Sequence, residues 1–237
     1  MLVHLPAVLS LALASAWKGP LKIALGGLGA PLITQKSITP ASLAVAQYIA
    51  ALPEVALLSR NVLCEDEVCA MAAAAASGKV NRTWLNQFDM SDLDAPLPMV
   101  GQTKPAYGTA VGVANLIVLV DILADDEIAR CMAVRVAEAV KLGAWVIVGD
   151  AASASRQTFL DVLEVELRYV DCGHPKFDEA CIVQQPLLGW SSEPVQLLRL
   201  NSPGFAPALD TGYMSLEERR GFELPSPVVE ILEPQNL

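Results

Sequence analysis

The stretch from Ala114 to Leu163, ANLIVLVDILADDEIARCMAVRVAEAVKLGAWVIVGDAASASRQTFLDVL, reads as strand, helix, strand, helix and decides the fold. Leu116–Val120 is a continuous β-branched and aliphatic run, which is typical of a strand buried on both faces of a parallel sheet. Trp145–Val148 is a second run of the same kind. Neighbouring parallel strands need a helical crossover between them. The stretch therefore predicts an α/β fold built on a parallel sheet.

The segment between these two strands carries the signals of an amphipathic helix. Asp125, Asp126 and Glu127 supply an acidic first turn, where the helix dipole favours negative charge. Gly143 is placed to end the helix. The apolar residues that recur on one face are Ile128, Met132, Val136 and Val140.

An aspartate closes each of the two strands. Asp121 follows the first strand and Asp150 ends the second, so both are predicted at the carboxyl edge of the sheet, where ligands bind in open α/β folds. If the protein is an enzyme, Asp121 and Asp150 are the candidate catalytic residues, acting as general bases with shifted pKa values. The simpler interpretation, which we favour, is that they cap helices and close strand ends.

Length and composition limit the function classes. The chain has 237 residues, enough for one large α/β domain with extensions. Its net charge of −10 argues against a nucleic-acid partner, which requires a basic face. With 18% charged residues and a mean hydropathy of +0.42, the composition fits a subunit of a larger assembly or a monomer with a large core equally well.

Both ends of the chain differ from its middle. Leu2–Ala16 is apolar and uncharged, lacks the basic residues of a targeting signal, and is shorter than the roughly 20 residues that span a bilayer. We expect a buried or partner-covered helix there, with an uncleaved targeting remnant as the alternative, and no transmembrane span. Beyond Asn201 the chain is rich in proline, with a short helix predicted at Ser215–Arg220. The predicted division is an N-terminal segment (1–36), a central domain (37–201) and a C-terminal extension (202–237).

Further elements follow from local patterns. Thr39 and Pro40 begin a helix that Pro53 closes, and the alanine-rich run 68–76 is a second helix. Gly26–Gly29 lacks the Lys-Ser/Thr ending of a phosphate loop, which favours an ordinary turn. Residues 89–112 are predicted to form a long loop. Strands are predicted at 22–25, 61–63, within 79–88, at 165–170, and as an antiparallel pair at 181–183 and 195–200, with 189–194 between the two strands of that pair.

Cysteine usage gives no sign of a disulfide framework. The chain has an odd number of scattered cysteines, which favours buried free thiols in a reducing intracellular compartment. Cys172-Gly-His174 followed by Cys181 faintly resembles metal-ligand spacing, but it lacks a second close pair, so we predict no metal site. The five cysteines are Cys64, Cys69, Cys131, Cys172 and Cys181.

From Ser37 to Leu200 the chain resembles the class I, seven-β-strand S-adenosylmethionine-dependent methyltransferases, and in particular their protein lysine methyltransferase-like group. Ile38–Ile49 resembles the helix that precedes the cofactor domain of that family, and Ala114–Asp126 resembles its strand ending in Asp-x-x-Tyr. Trp145–Leu163 resembles the next strand and helix, and the terminal pair resembles the reversed seventh strand. The resemblance implies a Rossmann-like, doubly wound, three-layer αβα fold with a mostly parallel sheet and an antiparallel last strand. It implies S-adenosylmethionine as the cofactor of an active member.

The chain departs from that family at three positions. The turn after the first strand, from Cys64 onward, contains no glycine, and Glu65, Asp66 and Glu67 place three acids where a cofactor carboxylate would lie. The second strand region offers only Asn81 and Asn86 for the acid that holds the ribose, and Ala124 replaces the tyrosine. Three losses together predict a degenerate site that binds no cofactor.

We therefore expect a catalytically inactive methyltransferase-like subunit of a large multiprotein complex, bound to other subunits through the N-terminal apolar segment and the C-terminal extension. By analogy alone, a mitochondrial membrane complex such as ATP synthase or a respiratory complex is suggested. The alternative is an active S-adenosylmethionine-dependent protein lysine or small-molecule methyltransferase with an atypical cofactor loop. A third interpretation is a different doubly wound domain that binds another ligand at the same edge.

Overall fold

The structure is a computed structural model, which describes residues 21–34, 38–52, 57, 61–78, 83–85, 93–94, 116–151, 153–170, 175–185, 188, 190–200 and 228–231. The helices within these ranges are α1 (Pro40–Ala51), α2 (Glu67–Ser77), α3 (Asp126–Lys141) and α4 (Arg156–Leu167). The strands are β1 (Leu21–Ala24), β2 (Leu32–Thr34), β3 (Val62–Cys64), β4 (Thr83–Leu85), β5 (Leu116–Val120), β6 (Trp145–Asp150), β7 (Phe177–Gln185), β8 (Trp190–Leu200) and β9 (Val228–Ile231).

Six of the strands form one mixed sheet in the order β4-β3-β5-β6-β8-β7. The pairs β4–β3, β3–β5 and β5–β6 are parallel, with Val118 opposite Ile147. Strand β8 runs antiparallel to both β6 and β7. The predicted α/β fold, a Rossmann-like, mostly parallel sheet with a reversed last strand, is confirmed.

Helices cover both faces of this sheet. Leu116 and Val118 of β5 pack into the core shared with α1 and α2, whereas Ile117 and Leu119 pack into the core shared with α3 and α4. All four side chains are at most 1% exposed. The uninterrupted aliphatic run of β5 thus reflects burial on both faces, and the three-layer αβα arrangement follows.

Helix α1 is enclosed on all sides, because every residue from Ala41 to Ala50 is buried. One side lies against the main sheet, where a Cβ added to Gly149 would come within 2.2 Å of Val45 Cγ2. On another side lies a small sheet of order β2-β1-β9, whose residues Ile23 and Val229 share a core with Ile49. The small sheet joins the two ends of the described chain, since β1 pairs with β9 in antiparallel register.

Two strand predictions were wrong. The alternating stretch 165–170 begins inside α4, which continues to Leu167 and buries Phe159, Leu163 and Leu167 at four-residue spacing. A short stretch that alternates is also compatible with the last turn of a helix, and the apolar spacing upstream decides between them.

The second error concerns Trp190–Pro194, predicted to lie between the last two strands. These residues are part of β8, which pairs with β7 as far as Trp190 opposite Gln185. A proline is tolerated there because β8 pairs with β6 only from Gln196 onward, so Pro194 lies beyond that ladder.

Side-chain caps begin three of the helices, and the predicted start of α1 at Thr39 and Pro40 is confirmed. The side chains of Thr39, Asp66 and Asp125 cap α1, α2 and α3 by accepting backbone N–H groups three residues later. Gly78 closes α2 in the left-handed conformation. The predictions for Leu2–Ala16, for Ser215–Arg220 and for most of the 89–112 loop lie outside the described residues. No described helix is both long and apolar enough to cross a membrane.

Candidate functional site at the carboxyl edge of the sheet

The carboxyl edge of the main sheet collects three aspartates. Asp66 lies just after β3, Asp121 directly after β5, and Asp150 at the end of β6. Strands β3 and β5 are neighbours, and the chain continues from β3 to β4 on one side and from β5 to β6 on the other. This reversal of direction creates the crevice at which open α/β sheets bind ligands. Asp121 and Asp150 therefore lie on the edge predicted for them.

The first turn of α1 lies across this crevice. Thr39 Oγ1 is 2.6 Å from Asp121 Oδ2, and Ser42 Oγ is 2.8 Å from Asp66 Oδ2. The two hydroxyl oxygens are 3.0 Å apart. We call the chain of contacts Asp121–Thr39–Ser42–Asp66 the hydroxyl bridge. It connects the ends of β3 and β5 through the cap of a third element.

Asp66 uses both carboxylate oxygens in structural contacts. Its Oδ1 accepts the backbone N–H of Cys69 at 2.8 Å as the cap of α2, while its Oδ2 accepts the Ser42 hydroxyl. The next acid, Glu67, accepts the hydroxyl of Thr34 at 3.2 Å and so connects α2 to β2. The acids that follow β3 thus anchor α2 to α1 and to the small sheet.

Asp121 occupies an unusual backbone conformation. Its φ of 53° is left-handed, a region that aspartate and asparagine enter more readily than other non-glycine residues. Its N–H donates to Gly149 O at 2.9 Å, and its Oδ1 accepts the N–H of Ala151 at 3.3 Å. These bonds hold the carboxylate over the ends of β5 and β6.

The pKa of Asp121 is raised above its usual range. Desolvation by the surrounding protein is the main cause, and the negative charges of Asp150 and Asp66 add to it, whereas the hydrogen bonds from Thr39 and Ala151 act in the opposite direction. Proton counting agrees with this direction. The bridge contains three oxygen–oxygen contacts, and each needs one proton to be a hydrogen bond. The hydroxyls of Thr39 and Ser42 supply two protons, and a proton on Asp121 would supply the third.

Asp150 is held away from solvent. The residue is 2% exposed, and its carboxylate accepts the Arg156 guanidinium and, at 2.9 Å, the N–H of Ser153. Arg156 also donates to Gln196 Oε1 at 2.7 Å and lies over the Phe177 ring at 5.1 Å. Of the two candidate bases, Asp121 is an exposed residue and Asp150 is a buried one.

Two cysteines lie beneath the same turn. Cys64 and Cys69 are fully buried, and burial together with the charge of Asp66 raises the pKa of both thiols, which keeps them protonated. The Cys69 thiol donates to Ser42 O at 3.4 Å. Inert buried thiols are thus observed at both positions. Among the described residues, no group of three or more histidine, cysteine or acidic side chains could hold a metal, and Cys172 and His174 lie outside that part of the chain.

The hydrogen-bond partners of Asp66, Asp121 and Asp150 were not predicted from the sequence. Thr39 was predicted only as a helix cap, yet its hydroxyl also meets Asp121, 82 residues away. The spacing of Thr39 and Ser42, three residues apart at a helix start, was the available signal that both hydroxyls share one turn. Arg156, six residues after Asp150, was an available cation for that acid. Ala124, at the tyrosine position, is exposed, and Asn81 and Asn86 lie outside the described residues.

The Asp121→Asn variant is expected to be more stable than the unmodified chain, and this difference in the free energy of unfolding should grow as the pH rises. The folded-state pKa is raised, so ionisation of Asp121 disfavours the folded state, and stability is lost as pH rises from the ordinary aspartate range through that raised pKa. Asparagine removes this loss and tolerates the left-handed backbone. Because Asp121 is partly solvated, we expect a gain below about 1 kcal/mol, measured by urea unfolding from acidic to neutral pH.

The Asp126→Asn variant is a suitable control, since Asp126 is exposed and accepts a hydrogen bond from Thr158. A difference between the Asp121→Asn variant and the unmodified chain that stays constant with pH would contradict a raised pKa for Asp121.

Comparisons with known proteins give a likeness in structure. No family profile matches the chain, and no curated protein matches it. Among solved structures, the chain is similar to the N-methyltransferase NodS from Bradyrhizobium japonicum WM9, whose crystal structure is a complex with S-adenosyl-L-homocysteine. The two are 13% identical, the match covers 61% of this chain and 67% of that one, and the TM-score is 0.32.

Proposed function

We propose that this chain is a methyltransferase-like domain that has lost cofactor binding and serves as a structural subunit of a larger protein assembly. The hydroxyl bridge is the observation that supports the loss of cofactor binding. It spans the crevice between β3 and β5 and engages Asp66 and Asp121 with Ser42 and Thr39. Polar groups that would otherwise contact a ligand at this edge are thus engaged with α1.

The residues present fit S-adenosylmethionine poorly. The turn between β3 and α2 contains no glycine, so side chains project where backbone would have to approach a ligand closely. Asp66 is fixed there by two hydrogen bonds, and its charge opposes the approach of a carboxylate. Both features support the loss of this cofactor.

The proposed role as a structural subunit rests on the composition of the two ends of the chain. Leu2–Ala16 is a run of fifteen residues without charge, and burial of apolar surface contributes about 25 cal/mol per Å². Covering it with other subunits, together with the proline-rich extension, would stabilise an assembly. The class of partner is protein rather than nucleic acid, in keeping with a net charge of −10. A mitochondrial membrane complex remains the host suggested by analogy.

Thermal unfolding with millimolar S-adenosylmethionine tests the loss of cofactor binding. A ligand present at about 1,000 times its Kd stabilises a protein by roughly 4 kcal/mol, which raises the Tm of a chain of this size by about 8 °C or more. We expect no rise with S-adenosylmethionine or S-adenosylhomocysteine, while an active methyltransferase in the same buffer shows one. Calorimetric titration should likewise give no binding heat.

A clear rise in Tm would instead favour the alternative, an active methyltransferase for a protein lysine or a small molecule. In that case Asp121 is the residue to test, because its carboxyl group is exposed at the edge while Asp150 is enclosed. Asp121→Asn would then lower methyl transfer without abolishing cofactor binding.

The native mass of the chain in extracts of its own cells tests the subunit role. We expect it to migrate in a complex far larger than its own 25.2 kDa. Migration as a lone 25.2 kDa species would overturn the structural-subunit proposal, whatever the cofactor result.

A further inference from the structure

The outer face of α4 exposes large apolar side chains beside charges of both signs. Val165 is 59% exposed and Tyr169 is 87% exposed. Asp161 and Arg168 are exposed near them, and the Arg168 guanidinium lies 4.7 Å from the centre of the Tyr169 ring. We call these four residues the α4 patch. Exposure of a β-branched side chain on a helix, with an exposed aromatic side chain just after the end of that helix, is typical of an interaction surface.

Helical geometry places these residues together. At 100° per residue, Asp161 and Arg168 lie about 40° and 60° to one side of Val165, and Tyr169 follows Arg168 in the turn after the helix. Arg168 keeps the helical backbone conformation just after the last residue of α4. The 2.8 Å ion pair between Lys141 and Glu166 holds the end of α3 against α4. The patch is therefore continuous and built on fixed elements.

We infer that the α4 patch binds a second copy of this chain, with the two α4 helices antiparallel about a two-fold axis at Val165. Along the helix, Asp161 lies about 6 Å before Val165 and Arg168 about 4.5 Å after it. Both residues lie on the same side of Val165. A two-fold rotation at Val165 therefore brings Arg168 against Asp161 of the partner subunit, and the reverse pair forms by symmetry. Such self-complementarity is what an isologous interface requires.

The apolar groups agree with the same axis. Val165 meets Val165 of the partner subunit at the centre of the helix pair, and the exposed ring of Tyr169 adds apolar surface beyond the end of the helix. An acidic or a basic partner protein would oppose one sign of the patch, whereas a second copy satisfies both. One helix pair buries less surface than a stable interface of about 1,200 Å² or more, so the dimer is weak and depends on concentration.

Sedimentation equilibrium of the full chain, from low micromolar to several hundred micromolar, tests the inference. We expect a monomer–dimer equilibrium that Val165→Asp weakens at least about tenfold, since it places two carboxylates at the axis. Arg168→Glu should weaken it similarly, and Asp161→Arg combined with Arg168→Asp should restore it. Glu127→Lys, an exposed charge change on α3 outside the patch, is the matched control.

Cysteine cross-linking tests the position of the axis. A Val165→Cys chain should form an intermolecular disulfide on mild oxidation, because the residue meets its own copy. Gln157→Cys, exposed on the same helix but about 12 Å from the axis, should not, and the unmodified chain corrects for its native thiols.

Two results would overturn the inference. One is a chain that stays monomeric at every concentration. The other is a dimer that survives both Val165→Asp and Arg168→Glu, which would place the interface elsewhere. All substituted residues are exposed, and circular dichroism checks that each variant folds. None of these outcomes depends on whether the carboxyl edge binds S-adenosylmethionine.

Discussion

Replacing Gly27 with alanine is expected to lower the free energy of unfolding by about 3 kcal/mol. Gly27 has a φ of 95°, a conformation that L-residues rarely adopt. A Cβ there would lie 2.3 Å from the carbonyl oxygen of Ala50, in the last turn of α1. Because that oxygen belongs to backbone, no side-chain rotation relieves the clash, and either the turn or α1 must move. The Gly26 contacts to Gln47, at 3.0 and 3.1 Å, would be strained by that movement.

Two other glycines distinguish the cost of the positive φ from the cost of the clash with Ala50. Gly143 also has a positive φ, 87°, but an added Cβ there meets nothing within 4 Å, so Gly143→Ala should cost about 1 kcal/mol. Gly29 has neither constraint, and Gly29→Ala should be nearly neutral. Chemical denaturation of the three variants measures the difference. Equal losses at Gly27 and Gly143 would show that the turn after β1 is not packed against α1.

The sequence predicted those elements whose signals are local. The unbroken aliphatic runs of β5 and β6, the acidic first turn of α3 and the cap at Thr39 all act within a few residues. Burial on both faces removes the need for polar alternation, which is why β5 could be recognised without knowledge of its neighbours. The strand prediction at Val165 was wrong because a short alternating stretch also fits the last turn of a helix, and the four-residue apolar spacing of Phe159, Leu163 and Leu167 outweighs it.

The small sheet and the partners at the carboxyl edge could not be predicted, because both depend on long-range contacts. Strand β9 has four residues and finds its partner β1 more than two hundred positions earlier. The hydroxyl bridge likewise joins Thr39 to Asp121 only because α1 crosses the ends of β3 and β5. Spacing within a sequence cannot reveal such contacts, although each residue type suits its role once the topology is known.

Replacing Arg156 with methionine is expected to lower the free energy of unfolding by about 3 to 5 kcal/mol, the usual result of removing one partner from a buried ion pair. The side chain of Asp150 is 3% exposed and that of Arg156 is 18% exposed. Arg156 Nε is 3.0 Å from Asp150 Oδ2, and a second guanidinium nitrogen also contacts that oxygen. Methionine keeps much of the apolar contact with Phe177 but leaves a buried carboxylate with only the Ser153 N–H as a described partner.

The double variant Arg156→Met/Asp150→Asn distinguishes loss of charge compensation from loss of packing. Asparagine is neutral and can still accept the Ser153 N–H, so we expect the double variant to recover more than half of the loss. Lys141→Met is the matched control, because it breaks a pair whose side chains are 44% and 37% exposed and should cost less than about 1 kcal/mol. Equal losses for Arg156→Met and for the double variant would contradict a buried charge at Asp150. If the expected recovery is seen, Asp150 serves to hold α4 against β6 and β8, just as Asp66 and Asp121 hold α1 over the ends of β3 and β5.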